Sequence, residues 1–200
     1  MGKKFLWSLM LLLWVSTVTV HAAAVPRLMF GQIRGKVKLS FDKEPGVKKS
    51  YATWTGVHAD KIVMCQFIPS DTWKEGRATV VPQQSGFVGL EFTAGPSVRK
   101  GVRYADGCYF DNIRINGELL PNGDFEKGGR GFGFYVRPNR KEYPARIVCD
   151  PSVAKSGNNC LAVWHDGFAT RQIQVKAGVP VTVTFDYKNA GELPPANQTK

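Results

Sequence analysis

Apolar and polar residues alternate in steps of two along much of the chain. Val37, Leu39 and Phe41 are interleaved with Lys36, Lys38 and Ser40, and Val88, Leu90 and Phe92 with Gly89 and Glu91. Val181, Val183, Phe185 and Tyr187 alternate in the same way with Thr182, Thr184, Asp186 and Lys188. Successive side chains of a strand point to opposite faces, so each run predicts a strand with one buried and one wet face. Beyond the N-terminal segment no stretch carries the spacing of an amphipathic helix. Pairs that favour turns separate the runs: Pro45-Gly46, Ser85-Gly86, Gly95-Pro96, Asn116-Gly117 and Asn122-Gly123. Short strands between tight turns predict an all-β fold, a sandwich or jelly roll.

The first 24 residues break this pattern. Lys3 and Lys4 precede an apolar run over residues 5–20, and Ala22, Ala23 and Ala24 follow it, which is the layout of a cleavable secretory signal. The run is short for a membrane span of ~20 residues, and no basic stop-transfer cluster follows it. The expectation is a signal peptide over residues 1–24 and a mature protein that is secreted, periplasmic or otherwise extracellular, with no membrane span after cleavage. Residues 25–200 are enough for one domain with a substantial core.

Charge adds little to this. The formal net charge of +11 becomes +9 once Lys3 and Lys4 leave with the signal, and a local excess lies at Lys36, Lys38, Lys43, Lys48 and Lys49. Nucleic-acid grooves interleave aromatic rings with such cations, and here the rings are missing, so a solvated strand face is expected and no nucleic-acid partner. Cys65, Cys108, Cys149 and Cys160 form an even set, which in an exported protein implies disulfides with three possible pairings. Cys149 and Cys160 flank a turn-rich loop, so adjacent antiparallel strands would bring them together, and Cys65 and Cys108 then pair by default. There is no Cys-x-x-Cys, and His58 and His165 are not at zinc-ligand spacing.

Catalytic signatures are lacking too: there is no Gly-x-Ser-x-Gly elbow, His-Glu-x-x-His or phosphate loop. The sixteen acidic residues include no pair marked by motif for glycoside hydrolysis. A protein without catalytic function is expected. Asn197-Gln198-Thr199 is a formal glycosylation sequon in a terminal segment.

Residues 109–128 carry a more specific signal. Tyr-Phe-Asp-Asn-Ile at residues 109–113 resembles the closing strand of the jelly-roll carbohydrate-binding modules of families four and nine, and Leu-Pro-Asn-Gly-Asp-Phe-Glu at residues 120–126 resembles their opening strand. Residues 145–163 resemble the second and third strands of those modules around a Ser156-Gly157 turn, and residues 172–188 resemble a later strand pair. Residues 61–115 look like the second half of such a module and residues 119–188 like its first half, so the two halves stand in reversed order.

A hairpin over residues 113–120 around Asn116-Gly117 would join the family's last and first strands, giving one circularly permuted galactose-binding-like jelly roll over residues 25–200. The alternative is two partial modules, 25–117 and 118–200, each with a half-built core.

The resemblance implies polysaccharide binding by aromatic stacking. Trp54, Tyr135, Tyr143, Trp164 and Phe168 are the candidate rings, with Arg137, His165, Asp166 and Arg171 as polar partners, and Trp73 falls to the core. It also implies a structural calcium ion between Asp111 and Glu126, whose oxygens a hard cation would select. Two functions follow as expectations: an exported carbohydrate-binding protein, or a structural or adhesive surface sandwich that binds no sugar. Oligomeric state and glycan identity are open at this level.

Overall fold

The computed structural model describes residues 23–34, 38–51, 62–99, 102–104, 106–138 and 143–192. Among them the chain forms fifteen strands and no helix. In chain order these are β1 (Pro26–Arg34), β2 (Leu39–Ser40), β3 (Val47–Tyr51), β4 (Ile62–Phe67), β5 (Lys74–Pro82), β6 (Gly86–Ala94), β7 (Ser97–Arg99) and β8 (Val102–Tyr104). There follow β9 (Asp106–Ile115), β10 (Glu118–Leu119), β11 (Gly133–Val136), β12 (Arg146–Cys149), β13 (Asn159–Val163), β14 (Gly167–Val175) and β15 (Val181–Glu192).

Two antiparallel sheets pack as a β-sandwich of the jelly-roll kind. One runs β11-β14-β6-β1-β4-β3; the other runs β12-β13-β9-β15-β5-β2, with β10 also on β9, while β7 and β8 form a separate ribbon. The alternating runs sit as their pattern predicts: Val88, Leu90 and Phe92 face inward from β6, and Val181, Val183, Phe185 and Tyr187 from β15.

Four phenylalanines close the core. Phe67 and Phe92 come from the first sheet and Phe110 and Phe185 from the second. The Phe185 ring centroid lies 5.1, 5.7 and 5.4 Å from those of Phe67, Phe92 and Phe110. Phe185 stands opposite Gly76 of β5, where a Cβ would come within 2.5 Å of the ring. Glycine is therefore a packing requirement at this point of the strand.

Strands from both sides of residue 117 interleave. β14 lies between β11 and β6, and β9 lies between β13 and β15. Asn116 and Gly117 both adopt positive φ, 51° and 90°, and join β9 to β10 in the primed turn that Asn-Gly favours. Asn116 also anchors β15, donating its N–H to Thr182 O and accepting from Thr182 N, each at 2.8 Å.

The structure departs from the sequence expectations in four places. Residues 120–126 are a coiled turn rather than an opening strand. Their contact with β9 is made through Leu120 N to Ile113 O and Ile113 N to Gly123 O, both 2.9 Å. Asn122 and Phe125 take positive φ, 61° and 58°, and the Asn122 amide ties down Gly128 O and Arg130 O. Side-chain hydrogen bonds of this kind offer the backbone an alternative to the ladder. Secondly, β14 and β15 are not a paired hairpin but enter different sheets.

Thirdly, β1 was not signalled by alternation, since Leu28, Met29 and Phe30 are all buried, yet it is central to its sheet. Ala24, just before it, packs in the core, and its carbonyl accepts from Cys108 Sγ at 3.7 Å. The folded unit thus includes the last residue assigned to the signal peptide. Residues 1–22 lie outside the described residues.

Fourthly, the cysteines are free thiols. Cys149 and Cys160 do lie on paired strands, but the register sets Cys160 opposite Val148 and Cys149 opposite Asn159. One residue of offset turns the two side chains to opposite faces, leaving Cys160 buried and Cys149 exposed. Cys65 and Cys108 are buried in different sheets, and burial pushes the Cys65 thiol up to about 12 and that of Cys108 higher still.

Because both sheets draw on both halves, residues 25–117 and 118–200 expressed separately are expected to give no cooperative thermal transition by circular dichroism. A sharp melt from either fragment would contradict the interleaving. In the full chain, Phe185→Ala is expected to lower unfolding free energy by about 3–5 kcal/mol in urea titrations.

Candidate functional site

The outer face of the six-stranded sheet carries most of the chemistry. The inward positions of β1, β4 and β6 fill the core, so Arg27, Met29, Met64, Gln66, Glu91 and Thr93 face away from it. One row across the sheet reads Gly133, Thr170, Glu91, Met29, Met64 and Ser50. In the next row Tyr135 pairs with Phe168, and Thr93, Arg27, Gln66 and Lys48 stand side by side. The Ala169–Phe92 register carries Phe168 on to Thr93, so this row runs unbroken over six strands, about 24 Å at ~4.8 Å per strand spacing.

The aromatic end of the row is built by β11 and β14. Tyr135 and Phe168 stack at 5.6 Å between centroids and 17° between planes, and Tyr135 is 55% exposed. Beside them Arg137 Nε meets Asp166 Oδ1 at 3.1 Å, while its backbone N–H donates to Asp166 O at 2.9 Å. His165 Nε2 is 3.9 Å from the same carboxylate oxygen, and burial holds the imidazole below its usual pKa despite that neighbour. Further along, burial pushes the Glu91 carboxyl up to about 7, against the pull of Arg137.

Arg27 occupies the middle of the row. With the Gln66 amide oriented by its hydrogen bonds, Arg27 Nε and Nη2 donate to the Gln66 oxygen at 3.1 and 2.9 Å. A Cβ at Gly95 would stand 3.1 Å from the guanidinium carbon, so the missing side chain leaves that group its place.

The expected site residues divide as follows. Tyr135 and His165, with Phe168, Arg137 and Asp166, come together at one edge of this face. Trp164 is corrected: it is 2% exposed and packs with Ala162 beneath Tyr143 and under the Arg146 guanidinium at 5.2 Å, so its ring has no free face to stack a sugar. Arg171 is also elsewhere. It alternates with Thr170 to the other side of β14, bonds Gly131 O and lies over the Phe132 ring, in an open cleft with Lys127 and Arg130. Trp54 lies outside the described residues. Trp73 is half-buried beneath Lys188 Nζ at 5.3 Å.

Asp111 and Glu126, between which the resemblance implies a calcium ion, are both engaged by backbone N–H groups. Asp111 is fully buried and accepts N–H bonds from Asn112, Lys155 and Ser156 at 2.7, 3.0 and 3.2 Å. Glu126 Oε1 accepts from Asn158 N and Asn159 N, both at 2.9 Å. Among the described residues no cluster of three or more His, Cys, Asp or Glu could hold a metal. Both carboxylates pin one loop, in which Gly157 has φ +63° and a Cβ would meet Glu126 Oε1 at 2.5 Å.

Sequence reasoning passed over Arg27, Gln66 and Glu91 as components of a site. Glu91 was legible as a position on the wet face of its strand, but its row partners are set by strand order alone. No family model, curated protein or solved structure matches the chain.

A carboxyl whose pKa is raised on folding stabilises the native state while it stays protonated. That contribution is complete below the ordinary value of 4.5 and is lost as pH rises through about 7. Glu91→Gln is therefore expected to melt above wild type at pH 8 and level with it at pH 4. The gain at pH 8 is read as ~2–4 °C per kcal/mol at this chain length.

Proposed function

We propose that this protein binds polysaccharide without catalysing its breakdown, on the outer face of the six-stranded sheet. The observation that carries this reading is the stacked Tyr135–Phe168 pair, with Tyr135 exposed, at one end of a row that also holds Arg27, Gln66 and Lys48. A sugar ring offers one apolar face and a rim of hydroxyls. Rigid aromatic rings cover the former at low entropy cost, and amide, hydroxyl and charged groups answer the latter. Arg27 and Gln66 stand in line with the rings, beyond the buried Thr93 whose hydroxyl donates to Trp164 O at 2.9 Å, so an extended chain laid across the strands meets both kinds of group.

The chain's resemblance to carbohydrate-binding modules of families four and nine supports the same reading, as does the signal-like N-terminal segment for export. A cut on the N-terminal side of Ala24 would keep that residue's core contacts.

Affinity electrophoresis in gels containing different polysaccharides tests the proposal. At least one polymer should retard the wild type, and Tyr135→Ala and Phe168→Ala should each weaken that retardation by roughly 30-fold in Kd, the scale of losing an aromatic anchor of about 2 kcal/mol. If no polymer retards the wild type, or both variants run as it does, the sugar-stacking proposal is wrong. A structural or adhesive surface sandwich then becomes the better description.

A further inference from the structure

We propose that this face selects acidic polysaccharides, with the Arg27 guanidinium receiving a sugar carboxylate two strands away from the Tyr135–Phe168 platform. The inference rests on the proposed function and adds to it the class of sugar.

Arg27 is half-buried in the middle of a sheet face, and its polar partner there is the neutral amide of Gln66. Among the described residues no carboxylate pairs with it. A guanidinium withdrawn from water and left with only a neutral partner is costly, and its planar fork suits a carboxylate in two-point contact. Gln66 engages two of the five N–H donors, so three remain for a ligand. Burial lowers the Arg27 pKa from its ordinary value, the direction expected of a cation withdrawn from water.

The surroundings favour an anion. In the same row, Lys48 stands beyond Gln66, two strand spacings or about 10 Å from Arg27. At the aromatic end, Asp166 is already paired with Arg137. The one acid among the central strands, Glu91, is diagonal to Arg27 and is shifted toward its neutral form. A polymer with a carboxylate on its sugars could then lay one ring on Tyr135 and Phe168 and bring a neighbouring carboxylate to Arg27.

The test compares a uronic-acid polymer, such as polygalacturonate, with its carboxyl-reduced neutral form, using the full chain. The wild type should bind the uronate polymer at least about tenfold more tightly, the scale of one charge-assisted hydrogen-bonded contact. Arg27→Gln should abolish that preference by weakening binding of the uronate polymer about tenfold more than binding of the reduced polymer. Gln66→Glu, which hands Arg27 an internal carboxylate, should abolish it as well and should melt no lower than wild type. Lys176→Gln, which removes an equal charge away from this face, should keep the preference.

Equal wild-type binding to the two polymers would overturn the inference and leave the proposed function standing. Binding to neither would overturn the inference, while the proposed function would still be decided by the wider set of polymers. Loss of the preference in Lys176→Gln to the same extent as in Arg27→Gln would reduce it to diffuse attraction by a basic protein. An unchanged preference in Gln66→Glu would show that Arg27 is not the receiving group.

Discussion

The contact between the Phe185 ring and the bare backbone of Gly76 is the constraint on which the rest of the sandwich depends. It lets β5 and β15 pair without a side chain between them and frees the ring to reach Phe67 and Phe92 of the opposite sheet. Phe110 closes the cluster from β9 at 5.4 Å from both Phe92 and Phe185. Rings in tilted and edge-on arrangements gain quadrupole attraction beyond the area they bury. Because these four rings come from strands on both sheets, the spacing and relative position of the sheets follow from how they fit.

That fit also places the outer face. Strand order in the six-stranded sheet brings β14, from late in the chain, against β6, and sets β1 between β6 and β4. The row from Tyr135 to Lys48 exists only because these separate segments share a register. Its polar members lie far apart in sequence, and none is marked by a local motif. Two features then distinguish the row from ordinary solvated strand surface: a ring pair exposed to solvent at one end, and a half-buried guanidinium with an amide as its partner.

On the other sheet, two carboxylates pin a single loop. Asp111 and Glu126 hold the loop between β12 and β13 through its own N–H groups, Asp111 at Lys155 and Ser156 and Glu126 at Asn158 and Asn159. Each therefore satisfies backbone donors that a tight loop would otherwise leave without partners. Gly157 is required between them, since its φ of +63° and the closeness of Glu126 exclude a side chain.

What the sequence by itself determined was the class of fold and the location of most strands. Alternation with a period of two marks a half-buried strand wherever one face is apolar, and Asn116-Gly117 dictates its own turn through the φ values those residues tolerate. β1 escaped because Leu28, Met29 and Phe30 are buried in succession, which leaves no period of two to read. Partner choice belonged to the tertiary structure. A strand's pattern says which side is wet, yet pairing strength depends little on which wet side chains become neighbours, so register and order are settled by the packing of the inner face. Trp164 illustrates this: it was a candidate stacking ring, whereas Tyr143 and Arg146, brought over it by neighbouring segments, enclose it. The same holds for Cys149 and Cys160, where strand adjacency was legible and a single step of register, fixed by the core, turned the two thiols apart.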